Sequence, residues 1–411
     1  MRSILEESRT GRSLLPLYAS SSTSASPRSS PPPSHSKSPV SSADKSSFNP
    51  AIIDEDYLVV RTVHGNDEGD AMHFKSWQRL SGRLLFVTGA IPAFLGIWAS
   101  VIQLGALRDP VLRETVMPLR ILLATLMTYV GFIDSLDSMI LAIVMVYNSI
   151  GKWRPKLRLL GDNVPSVDVI VAVCNERIDI VQDTVRAALN VDYPTNRFRV
   201  IVADDGRSQK LEAWILQLAV DTPNLHYTAR VKNGGKPDYK AGNLNHAMRF
   251  AETLPGGAAE FVAGLDADMI PERRWLRAVA AHIVRDSKMG MVCPTQLFYN
   301  MPNGDPLCQS SLINWKCADI FRDHVGCGWN LGSGWIVRRL AIDDINGFPT
   351  DCLVEDICSS MLTMAEGWKT AYIPEGLQYG LVPETYLGHV KQVSTSLAPF
   401  PLTLRSMKSR G

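Results

Sequence analysis

The sequence predicts an α/β domain on a mostly parallel sheet, preceded by a transmembrane helical region. Three observations predict it. From Val167 onward, short β-branched apolar runs alternate with helical patterns. Two of those runs end in acids, at Asp204 and Asp266. Upstream, two long apolar runs fall between residues 84 and 147.

The α/β pattern can be read in order. "VDVIVAV" (167–173) is apolar on both faces, as a buried parallel strand requires. A helix follows, around residues 180–189. "FRVIVADDG" is a second strand that exits into acids, and "KLEAWILQLAV" a helix. "LHYTAR" is a strand, "AGNLNHAMRFAET" a helix, and "AEFVAGLDADM" a strand that again ends in acids. Strands alternating with helices imply right-handed crossovers and an open sheet. Ligands of such sheets bind beyond the carboxyl ends of the strands. Asp204, Asp205, Asp266 and Asp268 fall at those ends.

The upstream region reads differently. Residues 1 to about 50 are rich in Ser and Pro and bury too little apolar surface to offset their ordering entropy. Residues 1–75 are therefore expected to form a disordered tail. Glu6, Glu7 and Arg9 sit where a signal peptide needs its apolar core. Residues 84–107 carry no charge and lie between Arg83 and Arg108, enough to cross a hydrocarbon core of ~30 Å as a helix. Pro92 can kink such a helix without ending it. Residues 121–147 form a second apolar run, interrupted by Asp134 and Asp137. It reads as a second span, or as two shorter helices meeting outside the lipid. Residues 76–150 become the membrane region, with two spans.

Lys75, Arg79 and Arg83 precede the first run, and Lys152, Arg154, Lys156 and Arg158 follow the second. The positive-inside rule puts both flanks, and the domain at 151–392, in the cytosol. Arg108, Arg113 and Arg120 in the connecting loop weaken that asymmetry. The expected location is a plasma or Golgi membrane.

The net charge is +1, so no global field favours nucleic acid, and none is expected as a partner. The seven cysteines are odd in number and none forms a Cys-x-x-Cys pair. This argues against a disulfide framework or a structural zinc site and for reduced thiols.

Four stretches carry candidate chemistry. Asp266 and Asp268, in "GLDADMIP", can send carboxylates toward one hard cation, Mg²⁺ or Mn²⁺. Asp-x-Asp is common in turns, and the preceding apolar strand is what gives it weight. Asp204 and Asp205, in "VIVADDG", read as an Asx turn or as acids that hold a base or ribose. Lys240, in "GKPDYKAGNLNHAM", is a solvated lysine or a diphosphate contact beside a helix N-terminus. Glu355 and Asp356 open a helix, where the dipole favours acids whether or not one is a general base.

In this order and spacing the pieces resemble the processive glycosyltransferases of family 2, which include cellulose, chitin and hyaluronan synthases. The likeness runs from about Val167 to Gln392 and is nearest in feel to the fungal polysaccharide-synthase group. "VAVCNER" resembles the family's first-strand motif, which implies donor contacts for Asn175 and Glu176. "DDG" resembles its uridine-binding acids, and "YKAGNLNHA" its Lys-Ala-Gly-Asn segment, implying donor roles for Asp204, Asp205, Lys240 and Asn243. "DAD" resembles its metal motif, with Asp266 and Asp268 as the cation site. "GWNLGSGWIVRR" is similar to the segment approaching the acceptor, placing Gly332, Ser333 and Gly334 there. "VED" resembles Thr-Glu-Asp, with Val354 in the place of Thr. It makes Asp356 the general base and Glu355 its catalytic neighbour. The resemblance implies a nucleotide-sugar-binding, GT-A type, Rossmann-like fold. It also implies an inverting, metal-dependent transfer from a UDP-sugar to a growing, glucan-like polysaccharide.

The family continues from Gln392, an acceptor-side residue, into Gln-x-x-Arg-Trp and further spans. Here positions 395 and 396 are Thr and Ser, and residues 393–411 form an atypical tail. The expectation is a C-terminally truncated chain, with a partner subunit supplying the missing spans. Two alternatives remain open: transfer to a lipid or small-molecule acceptor, and an inactive membrane protein that binds nucleotide-sugar.

Overall fold

A computed structural model describes residues 48–49, 57–62, 154–231, 238–310, 318–352 and 354–390, with isolated helical positions between 91 and 144. Gln392, the tail at 393–411 and most of the two apolar runs lie outside the described residues.

An eight-stranded sheet, in the order β6-β5-β4-β7-β10-β9-β11-β8, organises the domain. Its first half comprises β4 (Val167–Val173), β5 (Phe198–Asp204), β6 (Leu225–Thr228) and β7 (Phe261–Asp266), all parallel. The crossovers use α1 (Ile178–Leu189), α2 (Gln209–Ala219) and α3 (Tyr239–Thr253). Period-two alternation sorts these strands' side chains between two cores. Val169, Val171, Val200, Val202 and Leu265 face one cluster with α1 and α2; Ile170, Ile201 and Val262 face the other. On that second side α3 presents Ala241, Leu244, Ala247, Met248 and Ala251, the spacing of one helical face. Its small residues let the helix axis approach the sheet closely.

In the second half the mostly parallel sheet becomes mixed, with two of its eight strands reversed. After β8 (Ile270–Pro271) and α4 (Trp275–Val284) comes β9 (Met289–Phe298), with α5 at Asp319–His324. Then β10 (Trp335–Arg338) runs antiparallel to both β7 and β9. After α6 (Arg339–Asp344) and α7 (Glu355–Ala365), β11 (Lys369–Gly380) pairs parallel to β9 and antiparallel to β8. The reversal of β10 matters for function. An antiparallel neighbour begins where β7 ends, so Trp335 pairs with Gly264, and the residues before it lie beyond the carboxyl end of the sheet.

The disordered reading of residues 1–75 needs correction at two places. β1 (Phe48–Asn49) and β2 (Val59–Thr62) form a small antiparallel sheet with β3 (Leu157–Leu159). Val59 and Val60 are buried there, since the β-branched "VVRT" offers an apolar face that the Ser/Pro tract lacks. Two members of the basic cluster are ion-paired within the domain. Arg154 bonds Asp323 at 2.7 Å, and the buried Arg158 bonds Glu375 at 2.7 Å.

Among the described residues no helix is long and apolar enough to cross a membrane. The described positions within the two apolar runs are helical, and Phe94, Trp98, Val101, Leu122 and Leu126 expose their side chains. The cysteines also depart from expectation. Cys352 and Cys358 form a disulfide, while Cys293, Cys308 and Cys327 are free thiols. The pair had no signature because its partners are set by how α7 docks, not by a spacing rule.

Candidate active site

The site forms where β4, β5, β6 and β7 end and β10 begins. After β4 the chain turns at Asn175, which has a left-handed φ of 67°. Glu176 accepts a hydrogen bond from the Cys174 backbone N–H. Asn175 packs on Gly206, where a Cβ would lie 2.6 Å from its Oδ1, so the "CNER" and "DDG" loops touch.

The two acids after β5 divide their work. Asp204 is fully buried, and its carboxylate accepts from the backbone N–H groups of Gly206, Arg207 and Ser208 at 2.7–3.0 Å and from Tyr227 Oη at 3.1 Å. It therefore shapes the loop, as an Asx turn does. Asp205 is gripped by Arg230, with Nε at 2.5 Å from Oδ1 and Nη2 at 3.1 Å from Oδ2. Asn243 is buried and donates to Ala203 O at 2.7 Å, tying α3 to β5, with its Oδ1 unpartnered. Sequence reasoning missed Arg230 and Tyr227, since nothing local marks which strand-end side chains meet across a sheet.

Four charged groups converge on the β10 approach. Lys240 Nζ lies 2.5 Å from Asp266 Oδ1 and 3.5 Å from Glu355 Oε1, and donates to Gly332 O at 2.7 Å. Burial works against the ammonium, but Asp266 and Glu355 outweigh it and raise its pKa above the ordinary lysine value. Gly332 has φ 100°, and a Cβ there would lie 3.2 Å from Asp356 Oδ2, 3.8 Å from Asp266 Oδ2 and 4.0 Å from Lys240 Nζ. One backbone position thus gathers the lysine and both acids. Its N–H donates to Asn330 Oδ1 at 2.9 Å, a support not foreseen in the sequence. Ser333 is fully buried, and its Oγ accepts from the Asp266 N–H at 3.0 Å. At Gly334 a Cβ would collide with Gln378 Nε2 at 2.3 Å. Gly334 O instead accepts from Trp275 Nε1 at 2.7 Å, holding β10 against α4.

The acids respond to this crowding. Burial, then the Glu355 charge, pushes the Asp356 carboxyl up to about 7. Burial, then Asp266, pushes Asp268 up to about 6, and Glu176 adds to the rise. Carboxylates at the limit of ionisation beside a single ammonium are short of positive charge. Two hard oxygen donors, Asp266 and Asp268, suit Mg²⁺ or Mn²⁺. Among the described residues no group of three or more His, Cys, Asp or Glu side chains forms a metal cage. The fit is that of an ion held by one or two carboxylates and completed by phosphate oxygens.

Of the sequence-predicted residues, the structure brings together Lys240, Asp266, Glu355, Asp356 and Gly332. Asp268 and Glu176 lie within electrostatic reach. Asp204, Asn243, Ser333 and Gly334 are buried supports, and Gln392 is outside the described residues.

Comparison with known proteins bears on this arrangement. Residues 168–345 match the family described as "Glycosyl transferase family 2". "Cellulose synthase 2" of Novacetimonas hansenii is 30% identical over 248 residues, 58% of this chain and 15% of its own length. "Cellulose synthase 1 catalytic subunit (UDP-forming)" of Komagataeibacter xylinus is 29% identical over 241 residues, 56% of this chain and 30% of its own. The chain thus spans less than a third of the length of these relatives. A solved structure, the mannosyltransferase PcManGT of Pyrobaculum calidifontis with GDP-Man and Mn²⁺, superimposes with a TM-score of 0.46 at 20% identity. That match covers 60% of this chain and 65% of that one. The stretch that matches the family, residues 168–345, runs from β4 through α6 of the mixed α/β architecture and includes Lys240, Asp266, Asp268 and Gly332, while Glu355 and Asp356 lie beyond it.

Proposed function

We propose that the chain is a membrane-anchored, inverting, metal-dependent glycosyltransferase that moves a sugar from a UDP-sugar to a growing polysaccharide. The observation that carries this reading is the convergence of Lys240, Asp266 and Asp356 on Gly332, at the carboxyl end of β7. The name of one relative includes the words cellulose synthase and UDP-forming, which supports the donor and the product class.

In this mechanism Asn175, Glu176 and Asp205 border the nucleoside, and Lys240 meets the diphosphate. Asp266 and Asp268 would hold a divalent cation, which would supply positive charge to the departing diphosphate. Asp356 is the general base. It takes the proton of an acceptor hydroxyl, whose oxygen forms a bond to the anomeric carbon as the bond to the diphosphate oxygen breaks. A pKa of about 7 suits that task, because the base is part ionised at neutral pH yet basic enough to accept a proton. Glu355 stays beside Lys240 and keeps Asp356 from ionising too readily. Displacement from the opposite face inverts the anomeric centre.

Membrane anchoring rests on the two apolar runs and on the exposed apolar side chains within them. The β2–β3 pairing adds a constraint. Arg61 pairs with Leu157, so the chain leaves the domain and returns to it at neighbouring positions on either side of both runs. An even number of crossings satisfies this, with both flanks on the catalytic side.

The test is UDP release from UDP-glucose and UDP-N-acetylglucosamine, using the purified chain in detergent with Mg²⁺ or Mn²⁺. Asp356→Asn is expected to lower kcat by at least about 10²-fold while UDP still binds. Turnover within threefold of the parent would overturn the assignment of the base.

A further inference from the structure

We infer that Arg230 is a positioning residue for the donor: a guanidinium clamp that sets Asp205 and the start of α3, and through α3 Lys240, in their binding geometry. The inference rests on the donor reading above.

Arg230 lies two residues beyond β6, with its side chain only 10% exposed. Its fork meets both oxygens of Asp205. Nη1 donates to Asp238 Oδ2, and Nη2 also donates to Tyr239 O at 3.0 Å. One side chain therefore joins the exit of β5, the residue before α3 and the first residue of α3. Gly242 makes room for it, since a Cβ there would lie 2.2 Å from Asp238 Oδ2 and 2.3 Å from Arg230 Nη1.

The backbone explains why a clamp is needed. Tyr239 has φ 38°, a left-handed value that a tyrosine adopts only where its surroundings enforce it. Asp238 precedes α3 without making a side-chain cap. Arg230 supplies the missing constraint by taking both the Asp238 carboxylate and the Tyr239 carbonyl. The next residue is Lys240, whose ammonium reaches Asp266 and Gly332. Asp205 and Lys240 are two of the proposed donor contacts, and this guanidinium links them, the first directly and the second through the start of α3. Four of the five Arg230 N–H donors go to protein groups, so it acts through them.

A lysine keeps the charge but cannot make the planar fork. The experiment is calorimetric titration of UDP with Mg²⁺ into the detergent-purified full chain and its variants Arg230→Lys and Asp238→Asn, with donor KM and kcat measured in parallel. Arg230→Lys is expected to weaken UDP binding and raise donor KM together by about tenfold or more, with kcat within threefold. Asp238→Asn, which keeps the shape but loses the charge, is expected to weaken UDP about threefold or more. A purely structural role would lower the melting temperature and the active fraction without this KM-against-kcat split. UDP affinity within twofold of the parent in Arg230→Lys overturns the inference, as does a fall in kcat at unchanged KM. Should Arg230→Lys not fold, unchanged UDP affinity in Asp238→Asn overturns it. Absence of UDP binding by the parent chain overturns the donor reading itself, a different result from equal binding by parent and variant.

Discussion

Replacing Gly332 by alanine tests the centre of the site. Two penalties are expected, and they can be separated. The first is conformational: φ is 100°, where an L-residue is strained by about 1–3 kcal/mol. The second is local: the new Cβ would sit 3.2 Å from Asp356 Oδ2, so the carboxylate must give by a few tenths of an ångström. Gly161 provides the control. It too has a positive φ, 74°, but a Cβ there meets nothing within 4 Å. Both substitutions should lower unfolding free energy by a similar ~1–3 kcal/mol in denaturant titrations. Only Gly332→Ala should lower UDP release further, by ~10–10²-fold, because small displacements of a reacting group carry penalties of that order. Activity within threefold of the parent in Gly332→Ala, or an equal loss in Gly161→Ala, would refute the argument that Gly332 is where the acids and the lysine meet.

Two further outcomes are expected. Asp204→Ala should destabilise the chain by roughly 2 kcal/mol in denaturant titrations, because it removes the charged acceptor shared by three backbone N–H groups of a part-exposed turn; a loss below about 1 kcal/mol would contradict that accounting. His282 is buried with an unpartnered Nε2, and burial, followed by Arg154, Arg158 and Arg285, depresses its pKa to about 3. The unfolded chain therefore binds this proton first, and stability falls as pH drops from the unfolded value of 6.5 toward 3. Between pH 6.5 and 5 the integrated loss is about 1.6 kcal/mol, as the slope climbs toward its limit of about 1.36 kcal/mol per unit. His282→Leu should remove that slope, and equal slopes in the two proteins would refute it.

What the sequence made legible was local. Val167–Val173 and Phe198–Asp204 were readable because an apolar β-branched run ending in acids is a short-range signal. The helix at Tyr239–Thr253 was readable from its face of Ala, Leu and Met. The reversal of β10, the docking of Val59–Thr62 on Leu157–Leu159 and the Cys352–Cys358 bridge were not readable. Each depends on partners distant in the chain or on how one helix seats, which no periodicity encodes. The same division holds in the site. Asp266 and Lys240 were legible from type and context, whereas Arg230, Tyr227 and Asn330 act by reaching residues that only the fold makes neighbours. The acids of "DDG" show the limit clearly, since the pattern could not tell that Asp204 faces the backbone and Asp205 faces an arginine.

The replacement of Thr by Val at position 354 has a physical consequence. Val354 is the N-cap of α7 and makes no side-chain cap hydrogen bond. A threonine hydroxyl there could accept one of the first-turn N–H groups, which otherwise need partners. Here Asp356 Oδ1 accepts the Ile357 N–H at 2.7 Å, while Oδ2 faces Gly332. The two oxygens of the proposed base are thus differentiated: one steadies the helix start and the other faces the reacting centre. The disulfide between Cys352 and Cys358 spans this same turn and restrains the segment from outside. With both Ser359 and Ser360 hydroxyls donating to Asp356 O, the base is fixed by its backbone as well as by its carboxylate. A hydroxyl at the cap is therefore not required to orient Asp356, because the helix start, the bridge and the serines already do so.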